Sequence, residues 1–188
     1  MTLAFIRHGQ TDWNLNKQLQ GSTDIPLNDT GRAQARDAVA TLEGVDWEVI
    51  VSSPLSRARE TAAIIAAGLD IELGPAYDEL VERDYGQGEG ATAEVIAERW
   101  PDHAYPGLES LESVVARGEA ALERIDAEYG DRNTLIVCHG TIIRYALAHL
   151  AGRPFEQIRN GSVSTFERDG EAWRVLTVND EPLTEFVA

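Results

Sequence analysis

The sequence predicts an α/β fold, a three-layer α/β/α sandwich with a mostly parallel, mixed central sheet. Two observations predict it. Short apolar runs alternate with longer stretches whose apolar residues recur every three or four positions. Near the end, two strand-like runs, 162–167 and 172–178, flank the turn dipeptide Asp169-Gly170, which adds an antiparallel hairpin to the sheet.

The elements follow in order. Residues 2–6 (TLAFI) read as a buried strand that stops at Arg7-His8-Gly9. A polar loop continues to about Asn28. Asn28 or Asp29 caps a helix over roughly 30–43, with Ala35, Ala38, Val39 and Leu42 on one face. Residues 47–53 (WEVIVSS) form the second core strand. Pro54 then sits in the first turn of a helix running to about 67. A short strand is expected at 70–74 and a helix near 91–99, within otherwise irregular chain. The helix at 109–129 is the clearest, through Leu111, Val114, Val115, Leu122, Ile125 and Tyr129. Residues 133–138 (NTLIVC) form another core strand, ending at His139-Gly140, and a helix follows to Leu150.

No linker or repeat interrupts these elements, so residues 1–188 are expected to form a single domain, with a variable substrate-capping segment near 75–108. Composition narrows the function. Thirty-two acidic residues against sixteen Lys and Arg leave a formal charge of −16, which argues against a nucleic-acid partner or an anionic membrane surface. A small anion is still compatible, because charges more than about 10 Å from a local arginine cluster are strongly screened. The single cysteine, Cys138, excludes an intrachain disulfide framework and reads as a small buried hydrophobe. The N-terminal residues lack the long apolar run of a signal peptide or membrane span, so a cytoplasmic location is the default expectation. An edge strand near the end leaves a homodimer open.

Chemistry-bearing residues gather where strands end. Arg7-His8, Ser52-Ser53 with Arg57, and His139-Gly140 each follow a core strand, and such ends surround the binding crevice of an open α/β sheet. A neutral, aimed imidazole at His8 is a competent nucleophile toward phosphorus. Arg7 and Arg57 can grip phosphate oxygens by paired hydrogen bonds, and nearby cations favour neutral His8. His139 is a further donor. A proton for the leaving oxygen points to Glu82, with Asp78, Glu79, Asp84 and Glu89 as rivals. No short metal-ligand array such as HExxH is present, and arginine neighbours repel a cation, so neither a metal nor another cofactor is expected. Trp13 either packs the loop or lines the cleft. His103 and His149 lie away from the motifs.

The ordered motifs extend this reading. Arg7-His8-Gly9-Gln10-Thr11 resembles the signature of the histidine phosphatase superfamily, the phosphoglycerate mutase-like proteins. So do segments 20–35, 52–62, 82–90, 106–114 and 138–144, in order. The resemblance implies a phosphohistidine intermediate without a metal, with Arg7, His8, Arg57, Glu82 and His139 in the catalytic positions. It also implies that Asn14 lines the phosphate pocket, that backbone near Thr141 contacts the transferred group, and that 160–164 enters a late strand near the site. Two departures stand out. Gly88 replaces a frequent aromatic, implying a more open rim, and Leu108 replaces a common glycine. The short stretch between Glu82 and Gly107 and the open rim favour a phosphomonoesterase acting on a small phosphorylated substrate. The alternatives are phosphoglycerate mutase-type transfer and a noncatalytic phosphate-recognition module.

Overall fold

In the computed structural model, which describes residues 1–170 and 172–183, the first apolar run is strand β1 (Thr2–Arg7). Strands β2 (Val49–Ser52), β3 (Leu73–Ala76) and β4 (Thr134–Cys138) are parallel to it or to one another, while β5 (Val163–Asp169) and β6 (Ala172–Val175) run antiparallel. The sheet order is β3-β2-β4-β1-β5-β6, the mixed, mostly parallel arrangement expected from the sequence.

Strand alternation divides the core between two faces. Leu3 and Phe5 of β1, with Val49, Val51, Ile136 and Cys138, pack beneath helices α5 (Leu111–Tyr129) and α6 (Gly140–Ala151). Ala4 and Ile6, with Ile50, Leu135 and Val137, pack beneath α2 (Asp29–Thr41) and α3 (Ser56–Leu69). Cys138 is fully buried in the first of these layers, and burial pushes its thiol far above the ordinary range. A short α4 (Ala93–Arg99) and two 3-10 turns, Asp78–Leu80 and Gly86–Gly88, account for the regular structure of the 75–108 segment.

Several boundaries differ from the sequence expectation for local reasons. The loop expected after Gly9 contains a one-turn helix, α1 (Asp12–Leu15). Its capping box is built from Thr11 and Asn14 rather than the usual Glu or Gln. Pro54 lies two residues before α3 instead of inside its first turn. Ser53 Oγ accepts the Leu55 N–H at 3.3 Å, and Asp24 accepts the Ser56 N–H at 2.8 Å, so the helix starts at Ser56. At the other end Asp70 takes a left-handed conformation and delays strand pairing to Leu73. The expected strand 172–178 stops at Val175. Thr177–Val178 (β7) pairs instead with Glu181–Pro182 (β8), because Asn179 and Asp180 adopt the positive φ angles of a tight hairpin. The β5–β6 hairpin closes between Asp169 and Ala172, one residue later than Asp169-Gly170 implied.

Candidate active site

Parallel register brings the polar strand ends together. Arg7 pairs with Cys138 and Ser52 with Val137; just beyond, the His8 N–H donates to Cys138 O at 3.0 Å and the Ser53 N–H to Val137 O at 2.9 Å. His8, His139 and Ser53 therefore leave neighbouring strands at one edge. The chain after β1 turns toward β2, and the chain after β4 returns past β1 to β5, so the crevice lies at the topological switch point.

His8 is buried, and its ring centroid lies 5.1 Å from that of His139. Its Nδ1 sits 2.7 Å from Gly9 O. A carbonyl only accepts, so Nδ1 carries the proton and Nε2 keeps its lone pair. Desolvation, reinforced by Arg7 and Arg57, lowers the His8 pKa well below 6.5 and keeps the ring neutral. Gly9 is required by close packing: an added Cβ would fall 2.2 Å from Gly31 O. The Gly9 N–H donates to Thr61 Oγ1, tying the histidine loop to α3.

Two arginines flank this ring, Arg57 fully buried and Arg7 half-buried at the cleft. Arg57, in the first turn of α3, donates from Nη1 to Thr23 O (2.8 Å) and from Nη2 to Gly21 O (2.7 Å). The Gln20 amide, turned with its nitrogen toward Thr11 Oγ1, places its oxygen 3.0 Å from Arg57 Nε. Burial lowers the Arg57 pKa to about 10, against the favourable fields of Glu82, Asp24 and Glu89, so the guanidinium remains charged at neutral pH. Arg7 donates from Nη1 to Ile158 O at 2.6 Å, while its Nε is buried without a partner. Burial lowers its pKa as well, and Glu82 opposes that shift.

His139 is the N-cap of α6, with its Nε2 2.8 Å from Ser53 Oγ and its Nδ1 buried without a partner. Ser53 Oγ already accepts the Leu55 N–H, and among the described residues its proton has no acceptor other than His139 Nε2. The hydroxyl therefore donates to Nε2, and the ring proton rests on the unpartnered Nδ1. The His139 pKa is also held well below 6.5, first by burial and then by Arg57, His8 and Arg7.

Glu82 is buried, with each oxygen fixed by a backbone donor: Oε1 accepts the Arg83 N–H (2.8 Å) and Oε2 the Thr141 N–H (2.9 Å). Thr141 backbone thus meets Glu82, and its Oγ1 lies 2.8 Å from the Tyr85 hydroxyl. The rival carboxylates have other partners or positions. Glu79 pairs with Arg124, and Asp84 accepts the Gly86 N–H. Glu89 accepts the Ser22, Thr23 and Tyr85 N–H groups. Burial opposes the Glu89 charge, yet these bonds hold its pKa below the ordinary value. Asp78 lies with Glu82 and Asp84 on a separate outer groove; only Glu82 of the five also faces the main cleft.

That cleft, about 740 Å³, is bordered by Arg7, Asn14, Glu82, Gly140, Thr141 and Asn160 at its inner end. His8, His139 and Arg57 are buried and do not line it themselves; His8 is tied to it through Asn160, which donates to His8 O, and His139 directly precedes Gly140. Asn14 Oδ1 accepts from Thr11 N–H and from Asn160 Nδ2, which also donates to His8 O at 3.0 Å. The expectation of an open rim at Gly88 is corrected. An added Cβ there would lie 2.8 Å from the Tyr105 ring, so a tyrosine from farther along the chain fills that space. Trp13 packs against Gly90, and the Leu19 N–H donates to Ala91 O while Leu19 O accepts the Gly90 N–H, joining the two loops beside the cleft. His149 pairs with Glu119, and His103 bonds the Tyr105 hydroxyl.

Four site features escaped the sequence reading: the role of Ser53 toward His139, Gln20 behind Arg57, Asn160 behind His8, and Tyr85 beside Thr141. All four lie in segments the motifs had marked, but for Ser53 and Asn160 the partner is remote. Nothing local signalled their partners, which are 86 and 152 residues away.

The neutral buried histidines set a pH dependence. Their folded pKa values are depressed, so an unfolding chain takes up protons that the native state does not. Their contribution favours the native state fully above the ordinary value of 6.5 and declines as pH falls below it. Together they should steepen acid destabilisation by up to about 2.7 kcal/mol per pH unit. Urea unfolding across mildly acidic pH measures this slope, and His139→Gln should flatten it. An unchanged slope would show that His139 already protonates freely in the native state.

The site combines two neutral imidazoles with two guanidiniums at the switch point of an α/β sheet, the chemistry of a phosphate-handling enzyme. Residues 3–181 match the Histidine phosphatase superfamily (branch 1), and the chain belongs to that family. It is 39% identical to the uncharacterized phosphatase PhoE of Bacillus subtilis, over 94% of this chain and 93% of the relative. It is 34% identical to phosphoglycerate mutase-like protein 4 of Arabidopsis thaliana, over 95% and 84%. The structure of mycobacterial glucosyl-3-phosphoglycerate phosphatase in complex with VO3 superposes with a TM-score of 0.87, at 28% identity, covering 95% and 98% of the two chains. The protein is a histidine-phosphatase-type hydrolase with general phosphomonoesterase activity. Among the described residues no helix is long and apolar enough to cross a membrane.

Proposed function

We propose that the chain hydrolyses a small phosphomonoester through a phosphohistidine on His8 Nε2. The observation that carries this reading is the His8 Nδ1–Gly9 O bond, which fixes the proton on one nitrogen and leaves the other nucleophilic. Arg7 and Arg57 hold the phosphoryl oxygens, and His139 Nδ1–H donates to one of them; Asn14 and the first turn of α6 complete the cradle. Nε2 forms the N–P bond as the ester P–O bond breaks, and protonated Glu82 gives its proton to the leaving oxygen. Water then attacks phosphorus, Glu82 takes the water proton, the N–P bond breaks, and neutral His8 is regenerated. The segment near 75–108 caps the cleft.

The test is to supply assorted phosphomonoesters and follow inorganic phosphate, then to supply 3-phosphoglycerate with catalytic 2,3-bisphosphoglycerate. Phosphate release without isomerisation supports hydrolysis; rapid isomerisation with little phosphate release overturns it. Tyr105 over Gly88 removes one argument against a mutase, so this comparison carries the decision.

Ser53 positions His139 in this scheme. Ser53→Ala frees the ring to place its proton on Nε2 and should lower kcat about 10- to 100-fold with a smaller effect on KM. Ser53→Thr, which keeps the hydroxyl, should recover most of the loss. Equal kcat in Ser53→Ala and the parent protein would remove Ser53 from the mechanism.

A further inference from the structure

Glu89 is a carboxylate that the proposed reaction does not use, yet five hydrogen-bond donors converge on it. Oε1 accepts the Ser22 N–H at 2.8 Å, the Ser22 hydroxyl at 3.2 Å and the Tyr85 N–H at 3.2 Å. Oε2 accepts the Thr23 N–H at 2.8 Å and the Thr23 hydroxyl. The far side of the same loop holds Arg57, whose Nη2 donates to Gly21 O and Nη1 to Thr23 O. Gly21 O and the Ser22 N–H belong to one peptide unit. That unit joins the guanidinium to the carboxylate, with its dipole aligned favourably between the two charges. Gly21 permits the approach, since a Cβ there would lie 2.2 Å from Glu89 Oε1. A residue without a side chain does little to fix the peptide plane that follows it, so the two hydrogen bonds set that plane. Glu89 also contributes a favourable field at Arg57. Through the Tyr85 N–H the same carboxylate reaches the segment that carries Glu82.

We propose that Glu89 is a positioning residue for phosphoryl transfer: through the peptide between Gly21 and Ser22 it aims the Arg57 fork at the phosphoryl oxygens and keeps that fork in register with Glu82. The proposal rests on the reading that Arg57 holds the phosphoryl group. Gly21 O and Thr23 O take one hydrogen from each Nη, and so set which way the fork faces. Without the carboxylate, the Ser22 and Thr23 N–H groups turn to water, the peptide rotates, and its oxygen leaves Arg57. The charge of Arg57 then remains while its direction is lost. Direction matters most in the trigonal-bipyramidal arrangement of phosphoryl transfer, where charge spreads over the equatorial oxygens. The loss should therefore be larger for vanadate, which adopts that arrangement, than for inorganic phosphate.

Glu89→Gln is nearly isosteric and keeps one acceptor oxygen, but it turns an amide NH2 toward hydrogen-bond donors. By calorimetry, orthovanadate should bind this variant about tenfold more weakly than the parent protein, and inorganic phosphate about threefold more weakly or less. Arg57→Lys, which keeps the charge and loses the fork, supplies the second arm of a double-mutant cycle. In that background Glu89→Gln should weaken vanadate binding by less than about twofold, because the group it aims is gone. Equal weakening for the two anions, or the full loss persisting in the Arg57→Lys background, would overturn the proposal, since a loop merely loosened gives either result. Thr23→Val removes one bond to Glu89 from an exposed side chain. It should give a smaller loss with the same dependence on Arg57, and it keeps the test decisive if Glu89→Gln folds poorly. Unchanged vanadate affinity in Arg57→Lys alone would remove the phosphate grip assigned to Arg57, and the proposal with it. A loss in Arg57→Lys with none in Glu89→Gln would remove only the role of Glu89.

Discussion

His8→Asn is expected to lower kcat by roughly 10⁴-fold or more and to abolish covalent labelling. Asparagine can keep a donor to Gly9 O, so the local turn is preserved, but it offers no nucleophilic nitrogen to phosphorus. The loss should therefore fall on kcat, with phosphate and vanadate binding largely retained through Arg7 and Arg57. Rapid mixing with ³²P-labelled ester and an alkaline quench, which spares phosphohistidine, reads the intermediate. Labelled protein in the His8→Asn variant, or turnover near the parent rate, would remove His8 from its role.

This expectation was available from the chain alone because its ingredients are local. Arg7-His8 ends an apolar run, and His139 ends another. Parallel strands place their carboxyl ends on one side of a sheet whatever the loops do between them. Convergence of Arg7, His8, Ser53 and His139 is thus a consequence of strand polarity. Arg57 follows because it lies in the first turn of α3, the helix after β2. The layer pattern was equally legible. Leu3 and Phe5 face one way, Ala4 and Ile6 the other, and the periodic apolar residues of α2, α3, α5 and α6 cover the two faces.

The parts that were not legible depend on distant side chains. Gly88 suggested an opening only while Tyr105 was unplaced, and whether a glycine leaves space or accommodates a neighbour is decided by that neighbour. The start of α3 depended on Asp24, thirty-two residues earlier, which holds both Ser56 N–H and Ser56 Oγ. The tautomer of His139 depended on whether the Ser53 hydroxyl had any other acceptor. Hydrogen-bond accounting of this kind needs the full set of neighbours, and no periodicity encodes it.

The same accounting sharpens the expectation for Glu82, where five carboxylates compete in sequence and their partners separate them in space. Glu82→Gln should slow hydrolysis of alkyl phosphates by about 10²- to 10⁴-fold, because an alkoxide leaves poorly without a proton. Glutamine keeps a side-chain carbonyl able to accept the Arg83 or Thr141 N–H, so the loop remains anchored. With 4-nitrophenyl phosphate the leaving oxygen departs as a stable phenolate and needs no acid. Phosphorylation of His8 should then stay fast, while attack by water, which has lost its base, becomes slow. The variant should show a burst of nitrophenolate stoichiometric with enzyme, followed by slow turnover, and phosphohistidine should accumulate. A burst is the distinctive outcome, because general damage to the site would slow both half-reactions together. Equal losses on both esters with no burst would instead place the proton on another group. The same comparison in an Asp84→Asn variant, whose carboxylate serves the Gly86 turn, should show no such dependence on the leaving group.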